Sequence, residues 1–241
     1  MNEIHLAKDL DELSYLAALR FIELAKKAPA RFTVALAGGS TPKSLYRLLA
    51  GDEFNKEIDW SKVFFFFGDE RCVPPDHADS NYRMVKENLF DPLKTGPQNV
   101  FRWPAENPDA EEAAADYEAA LKDFFAGDSL PRFDLMLLGL GDDGHTASLF
   151  PYSPALKEFS RIAVANPVEK LSAERLTLTF PVINNAANVV FLVAGPEKAV
   201  ALREILEGLP APERYPAQSI DPKNGVLSWF VDKNAAGLLR R

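Results

Sequence analysis

The sequence predicts an α/β protein: one three-layer domain over residues 1–241, with a mostly parallel sheet flanked by helices. Three observations predict it. Strand-like and helix-like segments alternate along the chain, the pattern of right-handed crossovers. Two strand segments, VFFFF (63–67) and FDLMLLG (133–139), are apolar almost throughout, as strands covered on both faces are. Glycine-rich loops follow the strands, where such sheets bind ligands.

Residues 9–28 read as a helix. Leu10, Leu13, Ala17, Phe21 and Leu24 recur at helical spacing, and Asp9 followed by Glu12 makes a capping-box-like start. RFTVALA (31–37) is a strand ending at Gly38-Gly39, and a second helix follows with Ser40 or Thr41 as N-cap and Pro42 in its first turn. After VFFFF a loop spans Gly68 to Asp79, and a helix begins near Ser80. The acidic stretch 104–126 is an amphipathic helix capped by Asn107 and Pro108. FDLMLLG leads into a Gly- and Asp-rich loop. RIAVAN (161–166), RLTLTF (175–180) and NVVFLVAG (188–195) are further strands. A helix over about 197–207, the strand VLSWFV (226–231) and a short terminal helix close the chain. The Pro-rich patches at 74–75 and 210–216 read as loops inside one domain, and no internal repeat is present.

Apolar residues at 47% and charged residues at 26% place the 241-residue chain among ordinary soluble globular proteins and exclude disorder, collagen and coiled coil. No apolar run approaches the roughly 18 residues of a membrane span. The opening MNEIHLAKDLDE lacks a basic segment followed by an apolar core, so it does not read as a secretory signal. A single cysteine, Cys72, indicates a reducing compartment, most simply the cytoplasm. A formal net charge of −8 argues against nucleic acid as the main partner, because a phosphate backbone demands a basic face. A small anionic ligand remains compatible if cations are concentrated locally.

Four loops at strand ends are candidates for chemistry. In Gly38-Gly39-Ser40-Thr41-Pro42 the glycines let backbone N–H groups approach a ligand, and a helix start favours an anion such as phosphate. The alternative is a tight turn with an N-cap. No G-K-[ST] follows, so it is not a P-loop. In Gly68-Asp69-Glu70-Arg71, Arg71 could clamp a phosphate and Asp69 or Glu70 could hold it in place or handle protons. The alternative is a surface ion pair.

Gly139 to His145 satisfies G-x-G-x-x-G, but a dinucleotide reading fails. Asp142 and Asp143 would repel a pyrophosphate, Pro151 limits any following helix, and the next strand has no acidic end. Read as Asp-Gly-His, the loop offers a general base, His145, and a carboxylate, Asp143, to fix its tautomer. A turn-capping structural histidine is the alternative. His5 reads as part of an N-terminal tail and His77 as part of a Pro- and Asp-rich loop, both solvated. In Gly195-Pro196-Glu197-Lys198, a lysine in a helix's first turn is unfavourable unless an anion offsets it, though solvated surface lysines are common. Arg175, opening RLTLTF, is a further candidate. There is no G-x-S-x-G nucleophile elbow, and three scattered histidines give no zinc spacing, so no metal is expected.

LAGGSTP, FFFGDERCVP with DSNYRM, LLGLGDDGHTASLFP, RLTLTFPVINNA and FLVAGPEKA, in this order, closely resemble the 6-phosphogluconolactonase family over roughly residues 30–200. The resemblance implies a modified Rossmann fold shared with phosphosugar deaminases and isomerases. It also implies hydrolysis of 6-phospho-D-glucono-1,5-lactone to 6-phosphogluconate in the oxidative pentose phosphate pathway, with no cofactor. Carried over by position, His145 matches the general base and Asp143 its partner. Arg71 and Lys198 match the phosphate-binding cations, and Gly38, Gly39, Ser40 and Thr41 match the loop lining the sugar phosphate. Arg175 lies in a matching block. The expected partner is a phosphosugar lactone, with neither nucleic acid nor membrane, and the expected state is a monomer or weak homodimer.

Two other readings compete. One is glucosamine-6-phosphate deamination and isomerisation on the same fold, but that family carries a glutamate five residues after the histidine, where this chain has Phe150. The other is a sugar-phosphate sensor without turnover. Such modules usually come attached to a DNA-binding segment, and none is visible here.

Overall fold

The computed structural model describes residues 2–126 and 130–240. Among the described residues nine strands fall into two sheets. The larger has the order β1-β9-β8-β5-β2-β3 and is parallel throughout. Its strands are β1 (Asn2–Ala7), β2 (Phe32–Leu36), β3 (Val63–Phe67), β5 (Leu135–Gly139), β8 (Asn188–Val193) and β9 (Val226–Asp232). The smaller is antiparallel, β4-β7-β6, from β4 (Asp69–Arg71), β7 (Ala173–Leu178) and β6 (Ala163–Val168).

The helices are α1 (Leu10–Lys27), α2 (Ser40–Ala50), α3 (Asn81–Val85), α4 (Asp91–Leu93), α5 (Ala110–Phe124), α6 (Phe180–Asn185) and α7 (Ala199–Glu207). A π turn at Lys86–Phe90 joins α3 to α4. Helices α1 and α2 pack on each other, and α5 packs on the small sheet. Strands β2, β3, β5 and β8 are buried on both faces, Val34, Phe65, Leu137 and Phe191 being at most 2% exposed, which is why their sequences are apolar rather than alternating.

Several sequence expectations are corrected. The N-terminal segment is a strand, not a tail. Residues 2–7 pair with Leu227–Asp232, and His5 stacks on Phe230 with ring centroids 4.5 Å apart. Of residues 3–7 of β1 only Ala7 is buried, so the composition carries no strand signal. The loop after β3 contains β4, which pairs with Arg175–Thr177. RIAVAN and RLTLTF leave the parallel sheet and form a hairpin, since only a short 3-10 turn, Glu169–Leu171, separates them, too little for a crossover.

Helix caps also move. Asp9 caps α1 as expected, accepting from the Glu12 N–H, but the Glu12 carboxylate turns to the Lys8 N–H. The second helix is capped by Gly39 rather than by Ser40 or Thr41. At φ 103° Gly39 occupies a region that side chains disfavour, so the turn selects glycine. Asp109, not Asn107 or Pro108, caps α5, accepting from Glu111 and Glu112. Asn107 instead accepts from the Asp109 N–H in a preceding turn. The helix expected from 197 begins as a 3-10 turn, Pro196–Lys198, and becomes α7 at Ala199.

Candidate active site

The strand order fixes where a ligand can sit. From β2 the chain proceeds outward to β3, whereas from its neighbour β5 it proceeds the other way to β8. With right-handed crossovers the two connections leave on opposite faces, and a crevice opens between the carboxyl ends of β2 and β5. A cleft of about 180 Å³ lies there. Gly38 and Gly39 line it after β2, Asp69 and Arg71 after β3, Gly141 and His145 after β5, and Lys198 after β8. The four loops expected from the sequence therefore converge.

His145 and Asp143 form a pair. Nδ1 of His145 donates to Oδ1 of Asp143 over 2.6 Å, and the His145 backbone N–H lies 3.2 Å from the same oxygen. The second oxygen, Oδ2, accepts from the Lys170 ammonium at 3.1 Å. Burial alone would push the Asp143 carboxyl up. The His145 and Lys170 hydrogen bonds outweigh it and hold the group well below the usual carboxylate range. With the Nδ1 proton committed to a carboxylate, Nε2 is left as the proton acceptor. Phe150 stacks on the imidazole at 4.1 Å between centroids and shields one face. The glycine at 141 is required by close approach, because a Cβ there would lie 2.0 Å from His145 Nδ1.

In β4 side chains alternate. Asp69 and Arg71 line the cleft, while Glu70 between them points inward and is 3% exposed. Asp69 accepts from the Ser148 hydroxyl at 2.6 Å, tying the β3 loop to the His145 loop. Asn81, at the start of α3, also lines the cleft and donates to the Asp69 carbonyl at 3.1 Å. The Arg71 guanidinium donates to the Asp79 carbonyl. Arg71 and Arg175 stand directly opposite in the β4–β7 register. Burial, and then the neighbouring Arg71 charge, lower the Arg175 pKa. Among the described residues neither guanidinium has a carboxylate within 4.0 Å, and the nearest to the Lys198 ammonium is Glu197 at 3.9 Å. The facing charges of Arg71 and Arg175, without counter-ions, are suited to an anion.

Of the residues expected from the sequence, Gly38, Gly39, Arg71, His145 and Lys198 line the cleft. Asp143 stands behind His145, and Arg175 behind Arg71. Ser40 and Thr41 open α2 outside the lining, where no side chain caps the turn, so their backbone N–H groups remain available. Sequence reasoning missed Asn81 and Lys170. Asn81 lies within the conspicuous DSNYRM run, but Lys170 reaches Asp143 only through the fold. Among the described residues no three His, Cys, Asp or Glu side chains cluster to hold a metal.

Fold and cleft together define an α/β enzyme with a carboxylate–imidazole pair and a group of cations around one switch-point pocket. Residues 8–229 match the family model described as glucosamine-6-phosphate isomerases/6-phosphogluconolactonase, and the chain belongs to that family. It is 46% identical over 211 residues to the 6-phosphogluconolactonase of Synechocystis, covering 86% of this chain and 85% of the relative. It is 41% identical over 229 residues to that of Homo sapiens, covering 94% and 88%. The Trypanosoma brucei 6-phosphogluconolactonase structure superposes with a TM-score of 0.86 at 33% identity, covering 100% and 99%.

Proposed function

We propose that this chain hydrolyses 6-phospho-D-glucono-1,5-lactone to 6-phosphogluconate, the lactonase step of the oxidative pentose phosphate pathway. The observation that carries the reading is the meeting of His145, Arg71 and Lys198 in one cleft. Arg71 and Lys198 hold the phosphate, with Arg175 adding charge behind Arg71 and the α2 start supplying N–H donors. That remote binding energy fixes the lactone carbonyl near His145. Nε2 of His145 takes a proton from water as the water oxygen attacks C1. Asp143 keeps the Nδ1 proton and stabilises the imidazolium. Backbone N–H groups of the glycine loops receive the oxyanion. The tetrahedral centre collapses, the bond from C1 to the ring oxygen breaks, and the ring oxygen takes the proton back from the imidazolium. The new acid ionises to water.

Phe150 favours this over amino-sugar deamination. The residue five after the histidine is an apolar ring against the imidazole, where ring opening needs a carboxylate. The proposed unit is one domain acting in the cytoplasm as a monomer or weak homodimer, without cofactor and without nucleic acid. Support for the setting comes from the single cysteine, the net charge of −8, and the absence among the described residues of a helix long and apolar enough to cross a membrane. Purified protein should accelerate lactone hydrolysis above its spontaneous rate and release no ammonia from glucosamine 6-phosphate. An unchanged lactone rate with tight 6-phosphogluconate binding would make it a sensor, and ammonia release a deaminase.

A further inference from the structure

Two buried carboxylates stand behind the cleft without lining it. Glu70, 3% exposed, accepts from four donors. Oε1 receives the backbone N–H groups of Arg71 at 2.8 Å and Asn81 at 2.7 Å, and Oε2 receives the Tyr82 N–H at 2.8 Å and the Ser80 hydroxyl at 3.2 Å. Asp232, also 3% exposed, sits at the end of β9. It accepts from the Gly195 N–H at 3.2 Å on both oxygens and from the Ala235 N–H at 2.7 Å. Among the described residues neither carboxylate has a cation within 4.0 Å. Burying a charge without a counter-ion is costly, and a well-packed apolar side chain would avoid the cost. What a carboxylate adds at these positions is several backbone donors gathered onto one anchored group.

The donors are the loops that carry the cleft's cations. Glu70 grips the chain at Arg71 and again at Ser80–Tyr82, so it closes the segment 71–80 at both ends. The Arg71 guanidinium then reaches the Asp79 carbonyl inside that closed segment. Asp232 grips Gly195, whose carbonyl accepts the Lys198 N–H at 3.2 Å, so two bonded links lead from Asp232 to Lys198. Long cationic side chains lose conformational freedom when a ligand immobilises them, and a fixed backbone under them limits the further loss.

We propose that Glu70 and Asp232 are positioning residues which hold the Arg71 and Lys198 loops at the spacing an anionic phosphate group needs. The proposal rests on the reading of Arg71 and Lys198 as phosphate ligands. Four single variants of the full chain test it: Glu70→Gln and Asp232→Asn, which turn one oxygen into an NH₂ facing backbone N–H donors, with Arg71→Ala and Lys198→Ala beside them. Calorimetric titration with 6-phosphogluconate gives Kd, and saturating lactone gives kcat.

Loss of a hydrogen-bonded anchor predicts that each carboxylate variant raises Kd about tenfold, with kcat falling less than about threefold. In the Glu70→Gln/Arg71→Ala double variant Kd should rise no further than in Arg71→Ala alone, because Glu70 acts through Arg71. Kd unchanged in Glu70→Gln and Asp232→Asn, while Arg71→Ala and Lys198→Ala raise it, overturns the positioning role. Kd unchanged in Arg71→Ala and Lys198→Ala overturns instead the phosphate reading beneath it. Equal losses in kcat and affinity, or loss of the thermal unfolding transition in both carboxylate variants, would assign the two groups to stability alone and end the proposal.

Discussion

At the scale of single residues, His145 and Asp143 carry separate burdens. His145→Ala removes the base, so kcat should fall by roughly 10²–10⁴, the usual worth of a positioned general base. Titration with 6-phosphogluconate should give nearly the parent affinity, and equal loss of binding would make His145 structural. Asp143 stays ionised far below the usual carboxylate range, so it keeps its charge across the pH range of the assay. Gly141→Ala tests the geometry without replacing either group. Its Cβ would stand 2.0 Å from His145 Nδ1 and 2.8 Å from the Asp143 carboxylate, so the pair must separate. Turnover should drop by about tenfold or more, a loss of roughly 1.4 kcal/mol in transition-state binding. Parent-like turnover in this variant would show that the close pairing is dispensable. The Asp-Gly-His pair was legible in the sequence because its members lie two residues apart in one loop. Lys170 was not, because its contact with Asp143 spans 27 residues and depends on the β6–β7 hairpin.

At the scale of elements, β3 is an edge strand of the parallel sheet that reads as a central one. Phe65 makes one parallel bridge to Val100, and Phe66 is fully buried among Phe101, Phe124, Phe125 and Phe133, with centroids 4.7–5.7 Å away. The aromatic cluster covers the strand in place of a further strand. Phe66→Ala should therefore cost about 3–5 kcal/mol and lower Tm by roughly 2–4 °C per kcal/mol, read by calorimetry. A change under a degree would mean that the cluster repacks.

The apolar runs of β2, β3, β5, β8 and β9 could be read from the sequence because burial on both faces leaves one composition. β1 and β4 could not. Their residues are mostly polar or exposed, and only pairing with Leu227–Asp232 and Arg175–Thr177 makes them strands. Caps slipped by a residue or two for a similar reason. Several polar residues stood near each helix start, and backbone conformation decided between them, as the φ of 103° does at Gly39.

At the scale of the whole molecule, half-buried Asp143 and buried Glu70 give stability opposite pH dependences. Asp143 is held below its unfolded value near 3.8, so the unfolded chain binds more protons through that window. Its contribution is complete above that pH and drains as pH falls below it. Burial, only partly offset by backbone N–H donors, raises Glu70 above its unfolded value near 4.5. There the folded chain binds more protons, so stability declines as pH rises from that value towards the raised one. Urea midpoints of the parent, Asp143→Asn and Glu70→Gln, taken from about pH 6 down to about pH 2.5, separate the two. The gap between parent and Asp143→Asn should be widest near pH 6 and close below about pH 4. The gap between parent and Glu70→Gln should widen as pH falls from 6 towards 4.5, because only the parent gains from protonating the buried group. If both gaps ran the same way, one of the two carboxylates would have its environment misassigned. If neither gap moved with pH, the hydrogen bonds around these groups would act on stability independently of charge.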